Sequence, residues 1–169
     1  MASSISVPNA GLVLLNNFFQ MLFERLGLLE NAQFSSEDAQ KDAVLYLQFL
    51  ASGQSYAEEF FLPLNKVLCG LPVSAPVATE ISISEADKEL LEGLLSAAIS
   101  HWTAIGESTI EGFRGNWLVR DGILREEENH FELIVEKRVY DILLNQSPFS
   151  FSIIKFPWMA KSLMVSWTY

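Results

Sequence analysis

The chain has 169 residues, of which 50% are hydrophobic and 12% aromatic, so it can form one domain with a real core and is not typical of a disordered protein. Its net charge of −10 disfavours nucleic acid and anionic membrane surfaces as partners, because binding to either requires a basic surface. A single cysteine, Cys69, excludes an internal disulfide and fits a reducing compartment.

The N-terminal sequence MASSISVPNAG lacks the positive start and the apolar run of a signal peptide, and we expect residues 1–8 to form a flexible N-terminus. No stretch approaches about 20 uninterrupted apolar residues, so no membrane insertion is expected. The mean hydropathy of +0.22 is nevertheless high for a small soluble domain. It indicates that some apolar surface contacts another protein.

The first half of the chain predicts helices. The stretch AGLVLLNNFFQMLFERLGLLE is apolar on nearly every face, which is typical of a buried helix, although Leu12 to Leu15 could instead be extended. Ser35 and Asp38 have the spacing of a capping box at the start of a second helix, and Gly53 is predicted to end that helix.

Three further helices are predicted before residue 122. AEEFFLPLNKVLCGLP indicates a short helix that Pro63 starts or kinks. SEADKELLEGLLSAAISHW gives the clearest helical pattern, with Ser84 and Asp87 again at capping-box spacing. STIEGFRGNWLVRDG indicates a weaker helix.

After Gly122 the hydrophobic period changes from helical to strand-like. ILREEENHFELIVEKRV predicts a hairpin that turns near Glu128 and Asn129, FSFSIIKF and LMVSW predict two more strands, and YDILLNQ is ambiguous. Segregated helices and strands predict an α+β fold. We expect a single domain at 9–169, with four to five helices in 9–121 and a small antiparallel β region in 122–169.

The residues do not predict a catalytic or metal site. His101 and His130 have no second histidine or cysteine within a helical turn, which disfavours a bound metal. Cys69 lies in the apolar KVLCGLP and is typical of a small buried hydrophobe. Glu126 to Glu128 are typical of a solvated turn. No nucleophile–base set, P-loop or dinucleotide fingerprint occurs, so neither an enzyme nor a cofactor is predicted.

Four stretches together resemble the C-terminal region of the tape measure proteins of contractile injection systems, which are bacterial, phage-tail-like particles. The stretches are NAGLVLLNNFFQMLFERLGLL, FLPLNKVLCGLPV, HWTAIGESTIEGFRGNWLVRDGIL and VEKRVYDILLNQSPFSFSIIKFPWM, and the resemblance spans about Asn9 to Trp167. It implies a structural, non-enzymatic protein that is assembled in the cytoplasm as part of the particle. The implied partners are the inner tube, the baseplate hub or spike, the cap, and further copies of the chain.

Proteins of this family are longer than this chain, because they set the length of the tube. A fully helical chain of this size would span about 250 Å, and the sequence instead predicts a compact domain about 30–40 Å across. The resemblance therefore implies one of two roles. The chain is the C-terminal module of a tape measure protein, which governs tube length and contacts the baseplate hub or the tube end, or it is a short standalone cap, plug or adaptor of the same particle.

The stretch FSIIKFPWM is either a core strand or part of a docking surface. The alternation of Phe149, Phe151 and Ile153 favours a strand, whereas Pro157 cannot donate to a ladder and places the following residues at an edge or corner. Tryptophan and tyrosine are also the side chains enriched at interface hot spots. Candidate interaction residues are Phe18, Phe19, Phe23, Phe156, Pro157, Trp158, Met159, Trp167 and Tyr169. We expect either Trp158 and Trp167 or the face of Phe18, Phe19 and Phe23 to be partly exposed in one protomer and covered in the assembly.

Overall fold

A computed structural model describes residues 3–168 and places most helices before most strands. The α-helices are α1 (Phe19–Arg25), α2 (Glu37–Ser52), α3 (Pro63–Leu68), α4 (Glu85–His101) and α5 (Ile110–Phe113). Short 3-10 helices cover Ala10–Phe18, Glu59–Phe61, Thr103–Ile105 and Val139–Gln146, and a π-helical turn covers Arg114–Leu118.

Most strands belong to one five-stranded sheet. The strands are β1 (Ser4–Val7), β2 (Leu29–Glu30), β3 (Gln33–Phe34), β4 (Gly122–Glu126), β5 (His130–Val135), β6 (Ile153–Ile154) and β7 (Ser162–Ser166). The large sheet has the order β1-β4-β5-β7-β6, and β2 and β3 form a separate hairpin. Strands β5 and β7 are parallel, which requires a long crossover, and the segment 136–161 with its 3-10 helix provides it. The sheet is therefore mixed, whereas the sequence predicted an antiparallel one.

The first 3-10 helix, Ala10–Phe18, lies at the centre of the core. Leu12, Val13, Leu14 and Leu15 are all fully buried. The helix packs between α2, the π-helical turn and β5, so its residues Ala10 to Asn16 are buried, whereas Asn17 is exposed. This placement explains why the segment is apolar all round, and it shows that Leu12 to Leu15 are helical and not extended.

A buried polar cluster fixes the start of this central helix. Asn9 donates from Nδ2 to Asn65 Oδ1 at 2.7 Å and to Gln48 Oε1 at 3.2 Å. Asn65 in turn donates to the Val44 carbonyl at 3.0 Å. Since buried polar groups are costly when they lack partners, these bonds hold the chain after β1 in one position against α2 and α3.

The helix caps follow the sequence closely. Ser84 accepts the amide hydrogen bond of Asp87 at 3.1 Å, as predicted for α4. For α2 the predicted capping serine is wrong by one residue, because Ser36 and not Ser35 accepts the amide hydrogen bond three residues later, at 3.0 Å. Gly53 ends α2 in the left-handed conformation with φ of 75°.

The α+β class is confirmed, and three further details of the strands differ from the sequence prediction. Ser4–Val7, which the sequence placed in a flexible terminus, form an edge strand paired with β4. The β2–β3 hairpin adds strands to the helical half. The segment FSFSIIKF forms a strand with β7 only at Ile153–Ile154, so most of the predicted strand is irregular.

The packing of the central helix on the π-helical turn can be tested with two glycines. A Cβ at Gly11 would lie 1.6 Å from the Trp117 carbonyl oxygen, whereas a Cβ at Gly93 in α4 meets nothing within 4 Å. We expect Gly11→Ala to lower the free energy of unfolding by about 3 kcal/mol through overpacking. The control Gly93→Ala should raise it by about 0.5–1 kcal/mol. Urea unfolding followed by circular dichroism measures both, and a Gly11→Ala chain as stable as the wild type would contradict this packing.

Candidate docking surfaces

Trp158 lies inside an aromatic cluster and not on the surface. Its ring centroid is 4.7 Å from Phe156, 5.1 Å from Phe34 and 5.7 Å from Phe23. Its indole Nε1 donates a hydrogen bond of 2.8 Å to the Leu68 carbonyl. The side chain is only 8% exposed. Through these contacts the cluster joins the FPWM segment to α1, to the β2–β3 hairpin and to the end of α3.

The structure places most of the sequence-predicted interaction residues in the core. The buried members are Phe19, Phe23, Trp158, Met159 and Trp167. Phe18 and Phe156 are half-buried and Pro157 is exposed, whereas Tyr169 lies outside the described residues. Partial exposure of Trp158 and Trp167 is therefore not found, because each indole has a buried hydrogen-bond acceptor. Phe18, Phe156 and Pro157 keep a solvent-facing part.

A fully buried ion pair lies at the other end of the sheet. Arg120 Nη1 is 2.7 Å from Asp141 Oδ2, and both side chains are 0% exposed. The same Asp141 oxygen accepts hydrogen bonds of 2.9 Å from the Arg138 amide and from Trp167 Nε1. One carboxylate oxygen thus connects the segment that leads into β4, the start of the 3-10 helix Val139–Gln146 and the residue after β7.

Aromatic rings enclose the guanidinium group of Arg120. It lies 5.1 Å from the ring centroid of Trp167, 5.5 Å from that of Tyr140 and 5.6 Å from that of Trp117. Contacts of a cation with aromatic faces at such distances are attractive, and more so in a desolvated site. Arg120 also donates to two backbone carbonyls, so its position is fixed by charge, stacking and hydrogen bonds together.

The surroundings of Asp141 keep it ionised. Burial by itself raises the pKa of the Asp141 carboxyl. The hydrogen bonds from Arg120, Arg138 and Trp167, together with the charge of Arg120, outweigh burial and hold this pKa below its ordinary value of 3.8. The pair is therefore charged at neutral pH and supports a fixed geometry around it.

The 3-10 helix above this ion pair carries an exposed aliphatic ridge, which consists of Val139 and Ile142. Val139 is 96% exposed and Ile142 is 64% exposed, while Asp141 between them is fully buried. Residues three apart eclipse each other on a 3-10 helix, so the two aliphatic side chains lie one above the other. Apolar side chains are usually buried and charged side chains exposed, and this helix has the opposite arrangement. Neighbouring exposed apolar side chains form a surface that another protein can cover.

Cationic residues precede the aliphatic ridge. Lys137 is exposed, and Arg138 donates to the Val119 and Gly115 carbonyls and to the Tyr140 hydroxyl. Among residues 3–168, no carboxylate lies within ion-pair distance of Lys137 or Arg138. The aliphatic ridge therefore has cationic neighbours, although the chain as a whole has a net charge of −10.

Sequence reasoning missed the aliphatic ridge for a physical reason. The segment VYDILLNQ has apolar residues on more than one face, and a sequence-level interpretation assigns such residues to the core. The available signal was Asp141, a single charge between apolar residues. Its burial beside Arg120 turns Val139 and Ile142 outward.

In residues 3–168 the potential metal ligands are dispersed and the Cys69 thiol is buried. Within residues 3–168, no group of three or more potential metal ligands comes together. Burial raises the pKa of the Cys69 thiol well above its ordinary value, which keeps it protonated and unreactive. None of the helices described is both long and apolar enough to cross a membrane.

Comparison with known proteins gives one finding. The model of a protein family described as contractile injection system tape measure protein matches residues 1–167. Searches of the curated proteins and of the solved structures find no match.

The role of Trp158 as a core residue can be tested by truncation. Trp158→Ala should lower the free energy of unfolding by about 3–5 kcal/mol, because it leaves a cavity in the aromatic cluster. Phe60→Ala is the control, since Phe60 is 60% exposed and its truncation should cost far less. Thermal unfolding of both variants measures the difference, and equal stability of the two variants would show that Trp158 is not part of the core.

The buried ion pair predicts a pH-dependent effect. Asp141→Asn should cost about 3–5 kcal/mol at neutral pH, because it leaves Arg120 buried without a counter-charge. The folded-state pKa of Asp141 is lowered, so its stabilising contribution is complete above 3.8 and is lost as pH falls below that value. The stability gap between wild type and variant should therefore narrow in acid.

Urea unfolding at a series of pH values measures this gap. Asp121→Asn is the matched control, because Asp121 is exposed and its replacement should change stability by less than about 0.5 kcal/mol. A gap that stays constant to the lowest pH at which the wild type folds would show that the charged form of Asp141 is not the stabilising species.

Proposed function

Because the chain belongs to the contractile injection system tape measure protein family, we propose that it acts as a protein-docking module of a phage-tail-like particle. In this proposal it corresponds to the C-terminal module of the tape measure protein and contacts the baseplate hub or the end of the inner tube. It is assembled with the particle in the cytoplasm. The family is one of structural proteins, and the proposed role is structural.

The form of the described fold supports docking more than length measurement. The longest α-helix, α4, has 17 residues and so spans about 26 Å. No rod-like element in residues 3–168 approaches the length of a tail tube. A folded unit with a rigid exposed surface suits attachment to another subunit better than the measurement of length.

The aliphatic ridge is the observation that carries the proposal. Val139 and Ile142 project from a 3-10 helix that Asp141 fixes from below, so the ridge is presented in one orientation. Preorganised apolar side chains bind better than flexible ones, because less conformational entropy is lost on association. Cations beside the ridge favour a partner surface that combines apolar and acidic groups and would define its orientation.

The alternative role is a short standalone cap, plug or adaptor of the same particle. Both roles use docking, and they differ in what happens to the tube. Deleting the C-terminal module of a ruler should change the distribution of tube lengths, whereas deleting a cap or plug should leave particles of normal length with an open or incomplete end. Electron microscopy of particles from a deletion strain separates these outcomes.

Replacing Ile142 by serine tests the docking surface itself. Ile142→Ser should leave the fold intact and reduce incorporation into particles, because a hot-spot contact contributes about 2 kcal/mol or roughly thirty-fold in affinity. Ile153→Ser is the matched control, since Ile153 is also 64% exposed but lies at the far edge of the sheet. Quantitative immunoblotting of purified particles measures incorporation.

The two variants give clear alternatives. Docking through the aliphatic ridge is supported if the Ile153→Ser variant is incorporated into particles at the wild-type level and the Ile142→Ser variant is incorporated at a lower level. Equal incorporation of both variants would exclude the ridge as the contact. Circular dichroism of the isolated variants checks that neither result comes from unfolding.

A further inference from the structure

One face of the large sheet is not covered by any described element. Side chains alternate between the two faces of a strand, and Leu124, Leu133 and Leu163 point into the core with exposures of 1% or less. On the opposite face Ile134 is 39% exposed and Met164 is 37% exposed. A sheet face with apolar side chains in water is a surface on which another segment can bury area.

A groove crosses this open face at the end that includes β1. Its volume is about 710 Å³, which lies in the range of binding pockets. Ile123 and Ile134 form its floor as cross-strand neighbours on β4 and β5. Phe60 also lines the groove, packs against Phe61 in a tilted arrangement with a centroid distance of 4.2 Å and remains 60% exposed.

The ionisable groups that line the groove are both acidic. Asp121 and Glu136 are exposed, and the Glu136 amide donates to the Asp121 carbonyl at 2.9 Å, so the two residues lie side by side. Within the described residues neither carboxylate forms an ion pair. The nearby Arg138 makes its hydrogen bonds to other groups. The groove therefore offers apolar area next to two carboxylates without an ion-pair partner among the described residues, of which Glu136 also interacts electrostatically with Arg138.

These features restrict the chemistry of an occupant. Nucleic acid and anionic lipid would be repelled by Asp121, Glu136 and the net charge of −10. A second copy of this chain has the same net charge of −10, which opposes its approach, so a partner protein is favoured over a second copy even though the segment around the aliphatic ridge also carries cations. A segment with apolar side chains and one or two cations fits both parts of the groove.

We propose that the groove binds a basic, apolar segment of a partner protein in the particle. The apolar side chains of the segment lie on Phe60, Ile123 and Ile134, and a lysine or arginine of the segment lies beside Asp121 and Glu136. This surface is separate from the aliphatic ridge and opposite to it in charge, so one module has two attachment points for different partner surfaces. The proposal concerns a site outside the ridge and does not depend on the ridge being used.

A labelled peptide of alternating lysine and valine is a suitable probe for the purified full chain. Fluorescence anisotropy should show that Ile134→Ser binds it about ten-fold more weakly than the wild type. Met164→Ser is the matched control, because Met164 has nearly the same exposure on the same sheet face but does not line the groove. Phe60→Ala is a second groove variant, and circular dichroism confirms folding of each chain.

The charge requirement is tested by a second matched pair. Glu136→Lys should weaken binding of the lysine–valine peptide about ten-fold and relatively favour a glutamate–valine peptide. Glu128→Lys makes the same change in net charge at the exposed β4–β5 turn, outside the groove, and should bind like the wild type.

Two results would overturn the proposal. Equal weakening by the groove variants and by their controls would show that the peptide adsorbs to the acidic surface in general. Sedimentation velocity would show that the occupant is a second copy if the wild type self-associates and the Ile134→Ser variant does not. Both measurements use the isolated chain, so they are independent of whether Ile142→Ser affects particle assembly.

Discussion

The buried ion pair between Arg120 and Asp141 is the interaction on which the second half of the molecule depends. It connects the approach to β4, the crossover between β5 and β7, and the end of β7 through Trp167. A buried pair is not in itself strong evidence for high stability, because desolvation offsets much of its attraction. Its consequence here is geometric: a charge that must face Arg120 fixes which side of the 3-10 helix faces inward.

That constraint accounts for the unusual distribution of apolar residues. Many of the large aromatic side chains, which are the usual anchors of interfaces, pack internally, as in the cluster around Trp158, whereas Phe60 is exposed. Smaller aliphatic side chains are left outside at Val139 and Ile142. The high mean hydropathy of the chain therefore has two sources, a core rich in aromatic rings and exposed aliphatic surface that remains available to partners.

The two proposed attachment surfaces differ in charge although the chain as a whole is acidic. Cations precede the aliphatic ridge, and Asp121 and Glu136 line the groove on the open sheet face. Local charge contributes more to the choice and orientation of a partner than to affinity. A protein with more than one attachment surface benefits from such a division, because each surface then favours a partner of opposite charge.

The sequence by itself determined the features that depend on local chemistry. Capping at Ser84, the helix end at Gly53 and the change of period at Gly122 predicted helices followed by strands, and the structure has them because caps and periodicity act over a few residues. The resemblance of four stretches to one family likewise required only the order of residues, and the family match agrees with it.

Tertiary structure alone decided which apolar residues face water. The sequence could not show that Trp158 is buried and Val139 exposed, because that depends on contacts between residues far apart in the chain, such as Trp158 with the Leu68 carbonyl. The edge strand Ser4–Val7 likewise exists only because β4, more than a hundred residues later, supplies its hydrogen-bond partners. Exposure and strand pairing are non-local properties, so pattern and propensity within one segment do not determine them.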